Sequence, residues 1–479
     1  MAEVYSDYCN RVFEIFVELS KIPHGSGNMN KISQYCIDFV SNLGLDYVCD
    51  CAKNIIVYKD GSKGFENSEP IALQGHLDMV CQKSADCNID FLNDGISIYR
   101  DGDFLRANGT TLGADNGIAV AMALSILERD DIPHPPIEVV FTTDEEIGMI
   151  GAAQLDTSLL KSKKLINIDS EEDDTVTVSC AGGSDFKAEL SIKRIIKKSS
   201  GVRLVLKGLK GGHSGVEINS HRINAAVLAG RILQHLKSQM DFSIISVNSG
   251  DKSNAIPNYC VIELACENAN DLCGLIDEYI SVIRKEISYK ESGFETEISV
   301  LDNDNYFVLD NIWADKLIYS LCLVPNGIIE MSAEIEGLVE TSLNLGILAT
   351  NENDILFQFA LRSNKLTALK YLEQRLSLFF YGLGAKVSVG GHYPPWEYKK
   401  DSNLKEVYID AYSEIFGVAP KVEAIHAGLE CAIFSSSISD ADCIAIGPTI
   451  CGAHTVDECL SISSTEKIYR VLLRVLEKL

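Results

Sequence analysis

Several short stretches of the chain end an apolar run in a side chain able to ligate a metal: His76 and Asp78, Asp115, Glu145 and Glu146, Asp169, and His454. Apolar strands would deliver these groups to one edge of a sheet, where carboxylates and imidazoles can share two divalent ions and support hydrolysis. In IALQGHLDMV the two-residue spacing puts His76 and Asp78 on one face of an extended chain. Asp78 can then hold the imidazole in one tautomer, as the outer partner of a metal histidine does. The same pair also reads as a core histidine beside an N-capping aspartate. TLGADNGIAVAMALSIL sets Asp115 at the start of an apolar helix, where it is a ligand or simply a cap. IEVVFTTDEEIGMIGA runs a buried strand into three consecutive acids, which repel unless a cation or proton satisfies them or the loop is solvated. In KLINIDSEEDD, Asp169 follows the apolar run directly, and Glu171 to Asp174 read as a solvated face. IAIGPTICGAHTVDE carries His454 in a glycine-flanked loop, with His426 in AIHAGLE as its competitor. His24, His134, His221, His235 and His392 read as surface or structural residues.

Residues as far apart as 76 and 454 meet only if separate strands end at a common edge. Residues 1–186 alternate helix and strand, with amphipathic helices near 4–20 and 30–43, strands near 70–74, 137–143 and 164–168, and a helix near 117–129. That is an α/β rhythm. It resumes after about 395, with a helix near 402–416, a strand near 442–447 and a closing helix from 464. Between them VRLVLKG, a helix over 221–240, FSIISVN, YCVIELAC, a helix over 268–289 and TEISVLD follow the split βαββαβ order. A helix from 311, TSLNLGILAT, ILFQFALRS, a helix over 366–382 and AKVSVG then read as a second, incomplete copy. The expected architecture is an α/β catalytic domain in two segments, 1–186 and 395–479. A ferredoxin-like α+β lid domain, doubled, interrupts it over 187–394.

A chain of 479 residues with 46% hydrophobic content can bury two or more cores. No apolar run approaches the roughly 20 residues of a bilayer span. MAEVYSDYCNRVFEIF reads as an acidic amphipathic helix without a basic leader region or small-residue cleavage site, so the expectation is a cytoplasmic protein with no membrane partner. Fifteen cysteines include no CxxC pair, and Cys49 and Cys51 are the closest two, which predicts reduced thiols. The formal charge of −26 excludes nucleic acid as an expected partner, because phosphate binding needs clustered Lys and Arg.

GHLDMV, LGADNGIAVA, DEEIGMIGA, a strand-terminal Asp, GGHSG, NAIPN, LVETSLNLG, AIHAGLE and GPTICGAHTVDE together resemble the aminoacyl-histidine dipeptidases. These are also called Xaa-His or cytosol non-specific dipeptidases, within the zinc peptidase group that includes carboxypeptidase G and the aminoacylases. The resemblance covers roughly residues 5–475, with the motifs in the family's order. It implies that His76, Asp115 and Asp169 hold one zinc and that Asp115, Glu146 and His454 hold the other. Cobalt or manganese are the alternative metals. It implies Glu145 as general base for an attacking water and Asp78 as the clamp on His76. It further implies that His213 in GGHSG and Asn254 in NAIPN face the developing oxyanion, and that Arg362 in ALRS takes the C-terminal carboxylate of the substrate. Where the family pattern has glycine, GGHYPPW has Pro395.

The resemblance therefore implies a dinuclear metallo-dipeptidase acting on unblocked dipeptides, as a monomer or homodimer. With a doubled lid, His213, Asn254 and Arg362 are expected to act within their own chain. The same ligand set would also serve an N-acyl amino acid amidohydrolase or a metal-binding protein without turnover.

Overall fold

The computed structural model describes residues 2–479, with side chains from residue 9 onward. The chain forms two units: Met1–Cys180 with Trp396–Ala424 and Leu429–Leu479, and Ala181–Pro395 with Ile425–Gly428.

The first unit is built on an eight-stranded sheet in the order Asp46–Cys49, Ile55–Lys59, Ile137–Thr142, Ile71–His76, Lys164–Asn167, Asp442–Ala445, Thr175–Cys180, Lys421–Ile425. The four strands from Ile137–Thr142 to Asp442–Ala445 run parallel. IEVVFT and IALQGH are buried along their whole length, the near-continuous apolar pattern of parallel strands covered on both faces. Because these strands are parallel, the chain leaves each at the same edge. The helix Ala114–Leu127 packs on Ile71–His76 so closely that a Cβ at Gly75 would lie 2.5 Å from Asn116 Oδ1 and 2.8 Å from Ala119 Cβ. Only glycine fits at that position. The helices Asn403–Phe416 and Cys431–Ser437 pack on Asp442–Ala445, so the C-terminal segment completes a sheet begun before residue 60.

The second unit holds two interleaved βαββαβ copies in one nine-stranded sheet. The inner copy is Arg194–Lys207, Ala225–Lys237, Ser243–Ser249, Cys260–Cys266, Ala269–Ile287 and Glu295–Leu309, with sheet order fourth, first, third, second. The outer copy is Gly182–Ser191, Asn311–Leu323, Val339–Thr350, Asp354–Ser363, Leu366–Gly382 and Lys386–Tyr393, with the same relative order. The copy read from sequence as incomplete is therefore complete. Its first strand precedes the whole inner copy and pairs antiparallel with Asp354–Ser363, Ser363 opposite Gly182. That strand straddles the domain boundary expected at 186/187, and it falls entirely in the second unit. Ser249 opposite Leu348 joins the two halves edge to edge. Phe186, Phe359 and Phe380 pack together in the outer copy's core, which is continuous with Leu204, Ile232, Ile262 and Ile276 of the inner copy. Pro394 and Pro395 lie against Gly182, where any Cβ would collide with them, so the linker accommodates its two prolines at a glycine.

All fifteen cysteines are free thiols. No helix among the described residues is long and apolar enough to cross a membrane.

Candidate metal centre

Three neighbouring parallel strands each carry an acid or imidazole where they end. His76 is the last residue of Ile71–His76, Glu145 and Glu146 follow Ile137–Thr142, and Asp169 follows Lys164–Asn167. Asp115 comes from the start of Ala114–Leu127, and His454 from the loop between Ile450–Cys451 and Cys459–Ser461. His76 Nε2 stands 3.1 Å from Asp115 Oδ1 and 3.5 Å from Asp169 Oδ1. His454 Nε2 stands 3.0 Å from Asp115 Oδ2 and 3.0 Å from Glu146 Oε2. Asp115 thus turns one oxygen to each imidazole. Its side-chain hydrogen bonds go to these two rings.

These separations fit a metal. Two ligands each about 2.1 Å from one zinc at the tetrahedral angle stand about 3.4 Å apart. His76, Asp115 and Glu146 offer one donor atom each within 4.8 Å of one another, and the buried Glu146 Oε1 has no hydrogen-bond partner. An orphaned carboxylate oxygen in such a place fits a cation.

The electrostatics show what the cluster does with its charge. Burial pushes the Asp115 carboxyl up, but hydrogen bonds from His454 and His76 outweigh it and hold the group well below the carboxylate range. Hydrogen bonds to Asp115 and Glu146 push His454 up to about 11. Burial lifts Asp169 to about 6 against the pull of His76. Glu145 is lifted well above its ordinary value, first by burial and then by Asp169, Glu430 and Glu146, with His76 opposing.

Asp78 meets His76 as expected and makes further contacts besides. His76 Nδ1 is 3.0 Å from the Asp78 backbone carbonyl and 3.5 Å from its carboxylate, so Asp78 holds the tautomer through both groups. The carboxylate also accepts from Ser26 Oγ (2.8 Å) and from the backbone N–H groups of Glu145 (3.0 Å) and Glu146 (3.2 Å). It orients the loop that carries both glutamates. Asp144, the first of the three acids, turns its side chain to the Gly27 N–H at 2.6 Å.

Sequence reasoning passed over a polar layer beneath the ligands. Gln74 and Asn167 lie two residues before His76 and Asp169, on the same strand faces, and they share a 2.6 Å hydrogen bond. Gln74 Nε2 and Thr142 Oγ1 donate to buried Glu430 at 2.5 and 2.7 Å. Burial lifts Glu430 to about 7. Asn116 accepts from the His76 N–H (3.1 Å) and donates to the Ile168 carbonyl (2.6 Å), knitting the two strand ends to the helix that bears Asp115.

His426 belongs to the second unit. It is buried there between Ser342 Oγ (2.7 Å) and Asn364 Oδ1 (3.3 Å), and burial with nearby Arg362 lowers it to about 3. Within the same unit the short ribbon of Gly212–His213 and Ala255–Ile256 sets His213 beside Asn254, whose carbonyl accepts from Ser214 N–H at 2.9 Å. Arg362 Nη2 lies 3.4 Å from His213 Nε2 and Nη1 donates to Tyr393 Oη at 2.8 Å. Arg362 is 8% exposed, and its Nε has no partner. Asn254, Arg362 and Tyr393 line one cavity of about 480 Å³. Of the remaining histidines, His24 is buried with Nδ1 on the Ile22 carbonyl, and His235 stacks on Tyr279.

The sequence pattern of Peptidase family M20/M25/M40 matches residues 72–478. The chain is 35% identical to the cytosol non-specific dipeptidase of Escherichia coli (strain K12), over 98% of this chain and 97% of that one. Its fold is similar to the crystal structure of aminoacylhistidine dipeptidase from Vibrio alginolyticus, with a TM-score of 0.90, 35% identity, and 98% and 96% of the two chains covered. Human carnosine dipeptidase 1 shares the fold at a TM-score of 0.52 and 14% identity, over 99% and 98% of the chains.

Proposed function

We propose the activity of this chain on the premise that it belongs to Peptidase family M20/M25/M40. It is a hydrolase acting on peptide bonds, and its substrates are unblocked dipeptides, Xaa-His among them. The observation that carries this reading is the partly buried Asp115 carboxylate shared by two imidazoles, flanked by Glu146 and Asp169.

His76, Asp115 and Asp169 would hold one divalent ion and Asp115, Glu146 and His454 a second, zinc before cobalt or manganese. When bound, the pair supplies Lewis-acid polarisation of the scissile carbonyl and activation of water. Glu145, its backbone pinned by Asp78, takes the proton from the attacking water and returns it to the leaving amine nitrogen. A carboxyl lifted by burial is suited to gain and lose that proton. Arg362 is buried with its Nε unpartnered, which suits its guanidinium to the substrate's C-terminal carboxylate. Asn254 and His213 serve the oxyanion that develops at the carbonyl. The protein works in the cytoplasm, as a monomer or homodimer.

A library of free dipeptides and N-acyl amino acids, offered to zinc-loaded protein with and without chelator, tests the reading. Hydrolysis of free dipeptides that stops with chelator and returns with zinc is the expected result. Preference for N-acyl amino acids, or no turnover of either, would overturn it. A separate prediction concerns His213, which we assign to the substrate of its own chain. Mixing inactive Glu145→Gln chains with inactive His213→Ala chains should then restore nothing, even after verified chain exchange. Recovered activity in mixed dimers would mean that the histidine serves a partner.

A further inference from the structure

Glu458 has no part in the reaction outlined above, yet it is 3% exposed and commits both carboxylate oxygens to backbone. Oε2 accepts from the N–H groups of Leu112 (2.7 Å) and Gly113 (3.1 Å), and Oε1 from those of Ala114 (2.8 Å) and Asp115 (3.4 Å). Four consecutive amides can converge on one carboxylate because Gly113 takes φ 70°, in the left-handed region. A Cβ there would also lie 2.7 Å from the Met79 sulfur.

This segment needs an external hold. Asp115 and Asn116 have non-helical backbone angles at the front of Ala114–Leu127, so the regular hydrogen bonds of the helix do not aim the Asp115 carboxylate. Glu458 also lies four residues beyond His454 in the same loop. His454 itself sits at φ 63°, a conformation that non-glycine residues rarely adopt unless their surroundings impose it. One buried side chain therefore ties the backbone of Asp115 to the loop of His454, two groups whose side-chain atoms stand 3.0 Å apart. Burying another carboxylate beside Asp115 is unfavourable in charge, which argues against a filler role.

We propose that Glu458 is a positioning residue that sets Asp115 and His454 in register for a shared ion, touching neither the ion nor the substrate. The proposal rests on the metal reading of the centre given above.

Zinc affinity, measured by competition with a chromogenic chelator on wild type, Glu458→Gln and Glu458→Asp, tests it without reference to turnover. Glu458→Gln keeps the shape but turns an amide NH₂ onto N–H donors. Its zinc affinity should fall about 10–100-fold, the usual cost of losing an outer partner of a metal ligand. Glu458→Asp keeps the charge one methylene short and should fall between Gln and wild type. In both variants kcat for a dipeptide should drop with KM little changed, as for a group that acts through others. A folded Glu458→Gln with affinity within about twofold of wild type would overturn the proposal. So would a lower Tm of the metal-free variant with unchanged zinc affinity, the mark of a purely structural acid. Should Glu458→Gln not fold, the same two readouts on Glu458→Asp decide. A wild type that takes up no zinc removes the metal reading along with the proposal, whereas a zinc-binding wild type with unaffected variants removes the proposal alone.

Discussion

Asp115→Ala should empty the centre. Asp115 is the only carboxylate among the described residues that meets both imidazoles, 3.1 Å from His76 and 3.0 Å from His454. Without it neither proposed ion keeps three protein ligands, and the two imidazoles lose the charge that holds them together. Elemental analysis of the purified variant is expected to find less than one ion per chain, against two in wild type. Affinity should fall by more than about 100-fold, beyond the upper cost of removing an outer-sphere partner. Dipeptide hydrolysis should be undetectable. Glu146→Ala is the graded control, since it leaves His76, Asp115 and Asp169 in place and should retain one ion. Two tightly held ions in Asp115→Ala would sink the shared-ligand assignment.

Glu145→Gln should do the reverse, keeping the ions and losing the chemistry. The Glu145 carboxylate has no place in the ligand set, and its backbone N–H stays on Asp78 in the variant, so the loop and Glu146 are undisturbed. The amide is isosteric but is not basic enough to take a proton from water. The expected loss in kcat is about 10²–10⁴-fold, the usual worth of a positioned general base. Metal content and KM should stay near wild type. Residual activity above about a tenth of wild type would move the base elsewhere. Burial-raised Glu430, which bears electrostatically on Glu145, would then be the next residue to substitute.

Much of the centre was readable because a buried parallel strand reports its own end. His76, Asp169 and the Glu145–Glu146 pair each sit where an apolar run stops, and polar groups at such points need a reason. Asp115 stayed ambiguous between ligand and helix cap because both uses put an acid at the same position. The capping is done instead by Glu458, 343 residues away. No local signal marks such a residue: in GAHTVDE it follows another acid in a polar loop. Asn116 and Glu430 were hidden for the same reason, since each is defined by partners from distant strands. The spacing that set Asp78 beside His76 was legible, since its carboxylate does reach the ring, but spacing does not say that its backbone carbonyl reaches the same nitrogen more closely. The fold was legible through every element of the inner βαββαβ copy and all but the first strand of the outer one. What was not read was the strand Gly182–Ser191 itself, whose partner strands lie more than a hundred residues downstream.

That nesting has a consequence for how the chain reaches its native state. During synthesis Gly182–Ser191 emerges long before Asp354–Ser363 and Lys386–Tyr393, the strands that flank it, so its hydrogen-bonding edges stay open while the entire inner copy is made. The inner copy is contiguous in sequence and can close by itself as soon as Glu295–Leu309 appears. The outer copy must close a loop around it, and pairings of such sequence separation are slow to form. An unpaired strand that waits in this way is a point of vulnerability to aggregation. Its sequence, GGSDFKAELS, tempers the hazard with Asp185, Lys187 and Glu189 along one side, charges of the kind that discourage edge-to-edge association.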